Sequence, residues 1–409
     1  MTRTSIDLNH CGHCGVLVTS GGSPANRLGI IRGFGRKNIP VVYLDFDPSS
    51  IVKYSKYIRM RLKCGNPADS ETEYISTLLG FGRQIKDRMM IIPAGDREVL
   101  ILAKFKQELE QFYSLPVSSF EKIQKLVNKK EFYKWLTQEK ISHPKTYFPE
   151  SNDDLQRMGQ VIPFPYIIKP VYSHTFQEEF GQKCFVINSA HDLDYTVRRL
   201  RMAPTVEVMI QEIVPGKEAH SIYMYLDVKS RLLGISGYDK IRHWPVDFGF
   251  GSFCRSKWRP DLIKRCVELL QTAGYYGFAE AELIRDQRDQ QYKLLEVNPR
   301  TTLQNRLPAS CGADIEYIAY LDSMGKHTTR MTRCGEDVSW VNDFADVMSV
   351  LTQLRRKQTR ISDLSSSLNP NIVHSIASLD DAAPFIIYSI QSLLRGARHI
   401  GRMVCATGF

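Results

Sequence analysis

The sequence predicts an α/β chain with a doubly wound parallel sheet at its N-terminal end, and three observations lead there. A strand, a helix and a second strand follow one another between Gly15 and Asp45, the spacing of a βαβ unit with parallel strands. Strands and helices alternate again over residues 166–330. The 409 residues are 43% hydrophobic and 24% charged, an ordinary globular balance with length for two or three domains.

Residues 1–14 are polar and read as a tail. The run Gly15-Val-Leu-Val-Thr-Ser-Gly-Gly22 predicts a buried strand ending in a glycine turn. A helix is expected over 24–37, a strand over Pro40–Asp45, and another over Met89–Pro93 that runs into Ala-Gly-Asp96. Open parallel sheets hold ligands at the carboxyl ends of their strands, so Ser20, Gly21, Gly22 and Asp96 stand where a ligand can sit. Gly21-Gly-Ser-Pro24 is not the G-x-G-x-x-G fingerprint, which disfavours a nicotinamide dinucleotide. Residues 118–140 carry apolar side chains at helical spacing, and Pro144, Pro149, Pro163 and Pro165 mark the loops that follow. Further strands are expected at Tyr166–Lys169, around Met209-Ile210, at Ser221–Leu226 and at Tyr292–Val297. The last stretch is mostly polar, with an apolar patch near 384–394. The expected domains are a tail (1–14), an N-terminal α/β domain (15–117), a second domain (118–330) and a C-terminal extension (331–409).

Lys and Arg outnumber Asp and Glu by 54 to 44, a net charge of +10 that suits anionic substrates, nucleotides included. The charges are mixed along the chain and no zinc-finger or RNA-binding motif accompanies them, so nucleic acid is not expected as a partner. No apolar run reaches the roughly 18 residues of a membrane span. The first residues lack the apolar stretch of a secretory signal, and nine scattered cysteines fit a reducing cytoplasm.

Lys169 ends the apolar strand Phe164-Pro-Tyr-Ile-Ile-Lys169. An ammonium there either reaches solvent or meets an anion such as a phosphate. In Gln211-Glu-Ile-Val-Pro-Gly-Lys-Glu218 an apolar strand runs into a Pro-Gly turn. Backbone at 212–214 can pair with an adenine edge and Glu218 with ribose hydroxyls, although the segment also reads as a common loop. The most specific pair is Gly277-Phe-Ala-Glu-Ala-Glu282 with Leu294-Leu-Glu-Val-Asn-Pro-Arg300. Residues two apart in a strand share a face, so Glu296 and Asn298 point together, with Arg300 just beyond. Such oxygen ligands beside a cation suit Mg²⁺ on a polyphosphate, and Glu282 on the neighbouring strand adds a carboxylate. A solvated edge strand is the other reading. Leu294, Leu295 and Val297 argue for burial, where unpaired carboxylates are costly.

Taken in order, Asn128-Lys-Lys-Glu-Phe132, Ile167-Ile-Lys-Pro170, Gln211–Glu218 and Leu295-Glu-Val-Asn-Pro-Arg300 resemble the ATP-grasp superfamily, over roughly residues 15–330. The resemblance implies a two-lobed ATP-grasp domain after the doubly wound one. It implies Lys129 and Lys169 on the nucleotide phosphates, Gln211, Glu212, Ile213 and Val214 at the adenine, and Glu218 at the ribose. Glu282, Glu296 and Asn298 would hold metal, and Arg300 would contact phosphate. Lys130 and Glu280 are alternates for Lys129 and Glu282. ATP and Mg²⁺ are the implied cofactors, with two metal ions and Mn²⁺ as a substitute. The loop Tyr172–Gly181 lacks the glycine-rich run that often covers the phosphates, leaving His174 and Lys183 as candidates for that task. In Lys240–Ser252 cations alternate with glycines. Lys240 and Arg242 can neutralise a transferred phosphate if the segment closes over substrate; a surface hairpin is the alternative.

Within the superfamily the chain looks like the D-aspartate ligase group of carboxylate–amine ligases. The cues are Tyr54-Ser-Lys-Tyr57, Pro93-Ala-Gly-Asp-Arg97, Asn128–Tyr133, His143-Pro-Lys-Thr146 and Ser378–Pro384. This implies an enzyme that activates a carboxylate, an amino acid such as D-aspartate, as an acyl-phosphate and couples it to an amine of a peptidoglycan precursor. An ATP-grasp carboxylase and a non-catalytic nucleotide-binding protein are the alternatives. The intact Glu282, Glu296 and Asn298 set disfavours the second. The implied partners are small molecules, with a second copy of the chain as an option. His10-Cys-Gly-His-Cys14 is too compact for a zinc site and precedes the first strand, so it reads as an uninvolved tail. Phe385, Ile386, Ile390, Leu393 and Leu394 lie along one side of a C-terminal helix, with Arg395, Arg398 and Arg402 after them. That stripe is expected to pack on the protein or a second subunit; lying on an anionic membrane surface is the alternative reading.

Overall fold

The computed structural model describes residues 14–172, 176, 179–203, 205–326, 335–360 and 371–406, with side chains up to 394. Residues 10–13 of the cysteine–histidine tail, His174, and the side chains of Arg395, Arg398 and Arg402 lie outside the described residues.

The N-terminal unit is a five-stranded parallel sheet of β1 (Val16–Val18), β2 (Val41–Asp45), β3 (Ile58–Lys63), β4 (Met89–Ile92) and β5 (Tyr113–Ser114), in the order β3-β2-β1-β4-β5. β1, β2 and β4 are buried throughout, as expected of strands covered on both faces. The helix Pro24–Gly35 starts where Ser23 accepts from the Ala25 amide and Pro24 occupies the first turn. β1 ends before the glycines. Thr19 Oγ1 accepts from the Ala94 amide at 2.9 Å, and Gly22, at φ 66°, lies so close that a Cβ would stand 2.2 Å from the Ala94 carbonyl oxygen. The chain order reverses between β1 and β4, which leaves a crevice at their carboxyl ends.

The helix expected over 118–140 is two helices, Phe120–Val127 and Lys129–Gln138. Asn128 between them is extended, and its side chain caps the second helix by accepting from the Lys130 and Glu131 amides. This break places Lys129 at a buried helix start, where its amide donates to the Val171 carbonyl at 3.2 Å.

A four-stranded antiparallel sheet follows, made of β6 (Thr146–Tyr147), β7 (Tyr166–Pro170), β8 (Phe185–Ile187) and β9 (Val208–Glu212), in the order β6-β9-β7-β8. The largest sheet contains β10 (Ala219–Leu226), β11 (Leu232–Trp244), β12 (Phe250–Ser256), β13 (Gly277–Arg285), β14 (Tyr292–Asn298), β15 (Ser339–Val341) and β16 (Ile372–His374). Its order is β14-β13-β10-β11-β12-β15-β16. β15 pairs with β12 and β16 with β15, so the C-terminal stretch builds the edge of this sheet. Beyond it, Asp381 forms a buried ion pair with Arg32 at 2.8 Å and accepts from Ser55 and the Lys56 amide. Asp380 binds Arg36 and Tyr57. The C-terminal stretch is thereby fastened to the N-terminal unit. Of the five apolar residues expected to pack as one stripe on the last helix, Phe385 meets Phe344 with ring centroids 5.7 Å apart, whereas Ile386, Ile390, Leu393 and Leu394 remain exposed.

Candidate active site

A cavity of about 680 Å³ lies between the four-stranded sheet and the large sheet. The register of β13 and β14 sets Glu282 opposite Glu296 and Glu280 opposite Asn298. Asn298 donates from Nδ2 to Glu296 Oε1 at 3.2 Å and to Glu282 Oε1 at 3.4 Å. Lys240, two strands away on β11, reaches Glu282 Oε2 at 2.5 Å. Lys129 and Lys169 line the cavity from the opposite lobe, and Tyr133 joins the two lobes by donating to the Leu295 carbonyl at 2.6 Å. Lys169 donates to the Tyr133 hydroxyl at 3.4 Å.

The two carboxylates titrate apart. Burial alone would raise the Glu296 carboxyl, but Lys129, Lys169, Lys183 and Lys240 outweigh it and hold it at about 2. Glu282 is pushed upward by burial, against the pull of Lys240, with Glu280 and Glu296 adding to the rise. Burial depresses both Lys129 and Lys169, and Glu296 partly offsets this in each. Desolvated cations next to two carboxylates could accommodate a polyanion with a metal ion. Among the described residues no three His, Cys, Asp or Glu side chains converge on one point. Two carboxylates and the Asn298 amide could therefore hold only part of a Mg²⁺ coordination sphere, leaving the rest to phosphate oxygens and water.

Glu280, the alternate for Glu282, is buried and engaged by the Tyr238 hydroxyl, and it does not line the cavity. Lys129 lines it and Lys130 does not. Arg300 lies at the mouth of the N-terminal crevice, where its Nε donates to Asp96 Oδ1 at 2.6 Å. Asp96 opens the helix Asp96–Lys104, so the crevice recognised in the sequence meets the cavity here. Gln211, Glu212, Ile213 and Val214 line the cavity wall. Gln211 is fixed by donating to Thr146 Oγ1 at 2.8 Å. Glu212 accepts from the Lys145 amide and from Arg288, which holds its carboxyl below the usual range despite burial. Lys183 lines the cavity with its ammonium 5.9 Å from the Phe250 ring centroid.

Two residues are placed differently from expectation. Glu218 is not part of the cavity lining; its exposed carboxylate takes both of its oxygens to Arg285 Nη1 at 3.2 Å, because the end of β13 runs beside it. Arg242 lines the cavity but is already paired: Nε and Nη2 donate to Asp346 at 2.8 and 2.7 Å, and the guanidinium lies 4.3 Å from the Phe253 ring centroid. Asp346, on the helix Ala345–Arg355, went unnoticed in the sequence, where an isolated aspartate far from every motif carries no signal. His243 also lines the cavity, and burial lowers it to about 4, with Lys240 and Lys183 adding to the shift.

No protein-family model matches the chain. It is 24% identical to the D-aspartate ligase of Enterococcus faecium over 297 residues, which is 68% of this chain and 70% of the relative. Among solved structures, an N5-carboxyaminoimidazole ribonucleotide synthetase in its ADP complex superposes with a TM-score of 0.61 at 14% identity, covering 87% of each chain. The L-amino acid ligase of Bacillus licheniformis superposes with a TM-score of 0.56 at 14% identity, covering 76% of this chain and 74% of the ligase. The chain has the ATP-grasp fold.

Proposed function

We propose that this ATP-grasp chain is an ATP-dependent carboxylate–amine ligase, with a small-molecule acid and a small-molecule amine as co-substrates. The observation that supports it is the meeting, across one cavity, of Lys129 and Lys169 with Glu282, Glu296, Asn298 and Arg300. ATP enters with its adenine along Gln211–Val214 and its phosphates between Lys129 and Lys169. Glu282, Glu296 and the amide oxygen of Asn298 would hold Mg²⁺, one ion or two, which would offset phosphate charge. The acid's carboxylate oxygen attacks the γ-phosphorus and ADP leaves, giving an acyl-phosphate. The amine nitrogen then attacks the acyl carbon, phosphate leaves, the nitrogen loses a proton, and an amide results. Arg300, Lys240 and Arg242 stand where charge builds on the transferred group, and no covalent nucleophile is needed. Lys183 is positioned to cover the phosphates in place of a glycine-rich loop. Glu218, beside the lining residues Lys217 and Ala219, is the proposed ribose-binding acid, and would exchange its exposed contact with Arg285 for the ribose hydroxyls.

The likeness to a D-aspartate ligase supports an amino acid such as D-aspartate as the acid. The acceptor in this reading is a cell-wall precursor amine and the compartment the cytoplasm, as the motif resemblance implies. A phosphate-release screen of amino acids paired with amines, followed by mass spectrometry of products, tests the reading. With an ¹⁸O-labelled acid, one label is expected in inorganic phosphate. Label in AMP would exclude the acyl-phosphate route, and ADP release that depends on bicarbonate would assign the chain to the carboxylases.

A further inference from the structure

The crevice at the carboxyl ends of β1 and β4 holds a buried carboxylate that the proposed reaction leaves without a task. Glu98 lies in the first turn of the helix Asp96–Lys104, two residues beyond the Asp96 that binds Arg300. Its carboxylate fills the space against the glycine turn. A Cβ on Gly21 would stand 2.0 Å from both of its oxygens, and one on Gly95 would stand 2.3 Å from Oε2. Among the described residues no cation forms an ion pair with it. Arg27, whose charge does act on it, commits its N–H groups to the carbonyls of Ser20, Gly22 and Ser23 and to the Tyr43 hydroxyl. Two more polar groups at this end of the sheet are incomplete. Asp45, the last residue of β2, meets Arg61 through Oδ2 at 2.7 Å, and its buried Oδ1 has no partner among the described residues. The buried Tyr74 hydroxyl has none either, and after burial the Glu98 charge does most to raise it. Burial pushes the Cys64 thiol up to about 12, with Asp45 and Glu98 adding to the rise.

A buried carboxylate without a partner is costly, so this end of the crevice is suited to a cation. A metal ion fits poorly, because among the described residues no three His, Cys, Asp or Glu side chains converge. Water satisfies hydrogen bonds and brings no charge. An ammonium brings a positive charge together with N–H donors. Both co-substrates of the proposed ligase can carry a nitrogen, and protonation distinguishes them. The nitrogen that attacks an acyl-phosphate must be neutral, whereas a buried unpaired carboxylate keeps its partner protonated. Glu98 therefore suits a nitrogen that does not react. Asp96 lines the cavity and binds Arg300 at 2.6 Å, and its charge also acts on Glu98, so the crevice opens onto the place where the acid's carboxylate is activated. We propose, resting on the ligase reading above, that Glu98 binds the ammonium of the acid co-substrate and so selects amino acids over plain carboxylic acids.

The test uses the full chain with Mg²⁺ and a non-hydrolysable ATP analogue, titrated in a calorimeter with amino acids and their deamino counterparts. The pairs are aspartate and succinate, glutamate and glutarate, and alanine and propionate, each amino acid as both enantiomers. At least one amino acid should bind ~10-fold or more tightly than its counterpart, the scale of one charged hydrogen bond. Glu98→Gln keeps the shape and should remove most of that difference while the affinity for the ATP analogue is unchanged. Glu98→Asp keeps the charge on a shorter stem and should retain part of it. Should the first variant fold poorly, the second carries the comparison, and an undiminished preference in it would count against Glu98. The ligase reading fails separately: with hydroxylamine as the amine and ATP present, no acid would then yield a hydroxamate, whatever its affinity. A wild-type chain that favours no amino acid over its counterpart would overturn the proposal. So would a folded Glu98→Gln chain that keeps the preference, or that loses amino acids and counterparts equally, because Glu98 would then only support the glycine turn.

Discussion

Glu296 is kept ionised by the charges of four lysines, Lys129, Lys169, Lys183 and Lys240, against the effect of burial. Glu296→Gln keeps the shape and removes the charge. Turnover should fall at least ~100-fold, the scale on which loss of a positioned electrostatic group acts, while the circular dichroism spectrum is unchanged. Near-normal phosphate release at saturating Mg²⁺ would remove Glu296 from the metal site. A buried carboxylate outside the cavity lining, Glu316, gives a cleaner pH experiment. Glu316 accepts from the Tyr223 hydroxyl at 2.7 Å, and burial, with Asp314 adding, raises it to about 7. Its folded value lies above the unfolded one of roughly 4.3, so its ionisation opposes folding. That penalty is complete above pH 7 and disappears as pH falls toward the unfolded value. Glu316→Gln keeps the acceptor for Tyr223. It should therefore raise the melting temperature at pH 8 and leave it unchanged at pH 4; an equal shift at both would mean the carboxyl does not titrate between them.

At the scale of elements, the helix Ala345–Arg355 acts on the cavity through one contact. Asp346 grips Arg242 with two hydrogen bonds and also accepts from Ser252 Oγ at 3.0 Å, while Ser349 donates to the His243 carbonyl at 2.8 Å. The helix thus positions two cavity residues of β11 that it follows by about a hundred positions in the chain. Asp346→Asn should reduce kcat/KM for the acid by ~10- to 100-fold, as a displaced catalytic contact does, and leave ATP affinity unchanged. Asp346→Glu should recover part of the loss. Equal weakening of ATP binding would mean that the helix supports the whole lobe instead of Arg242. The break at Asn128 shows the same dependence on a single side chain. One cap divides a helical run in two and turns Lys129 into the cavity.

For the whole molecule, the fastening of the C-terminal stretch to the N-terminal sheet domain sets how the outer units sit. Asp381 and Arg32 are both buried, and Arg32 also donates to the carbonyls of Ile376 and Asp381. Asp381→Ala leaves an unpaired buried guanidinium and should cost ~3–5 kcal/mol of stability, read from denaturant midpoints. A change below ~1 kcal/mol would place the pair effectively in solvent.

Much of this organisation was legible in the sequence because it rests on local pattern. β7 and β14 came through as apolar strands, and the period of two put Glu296 and Asn298 on one face without knowledge of their neighbours. The βαβ start and the crevice at Asp96 followed from glycine turns and buried runs in the same way. Other features were hidden for definite reasons. β15 and β16 are three residues each, too short for a period to register, and they are strands only because β12 offers an edge to β15 and β15 in turn to β16. Glu218 stood in a motif at a ribose-binding position, yet which way its carboxylate points depends on Arg285, reached through the pairing of β10 with β13. Glu280 and Glu282 are equivalent in sequence, and the Tyr238 hydroxyl on a strand two places away distinguishes them. By itself the sequence determined the strands with a clear hydrophobic run, β1, β2, β4, β7, β9, β10 and β14, and which charged residues stand on or beside them, since hydrophobic period and residue type are local properties. The tertiary structure decided which charges are already paired, which carboxylate faces the cavity and which side of the last helix is covered, because each depends on a partner distant in the chain.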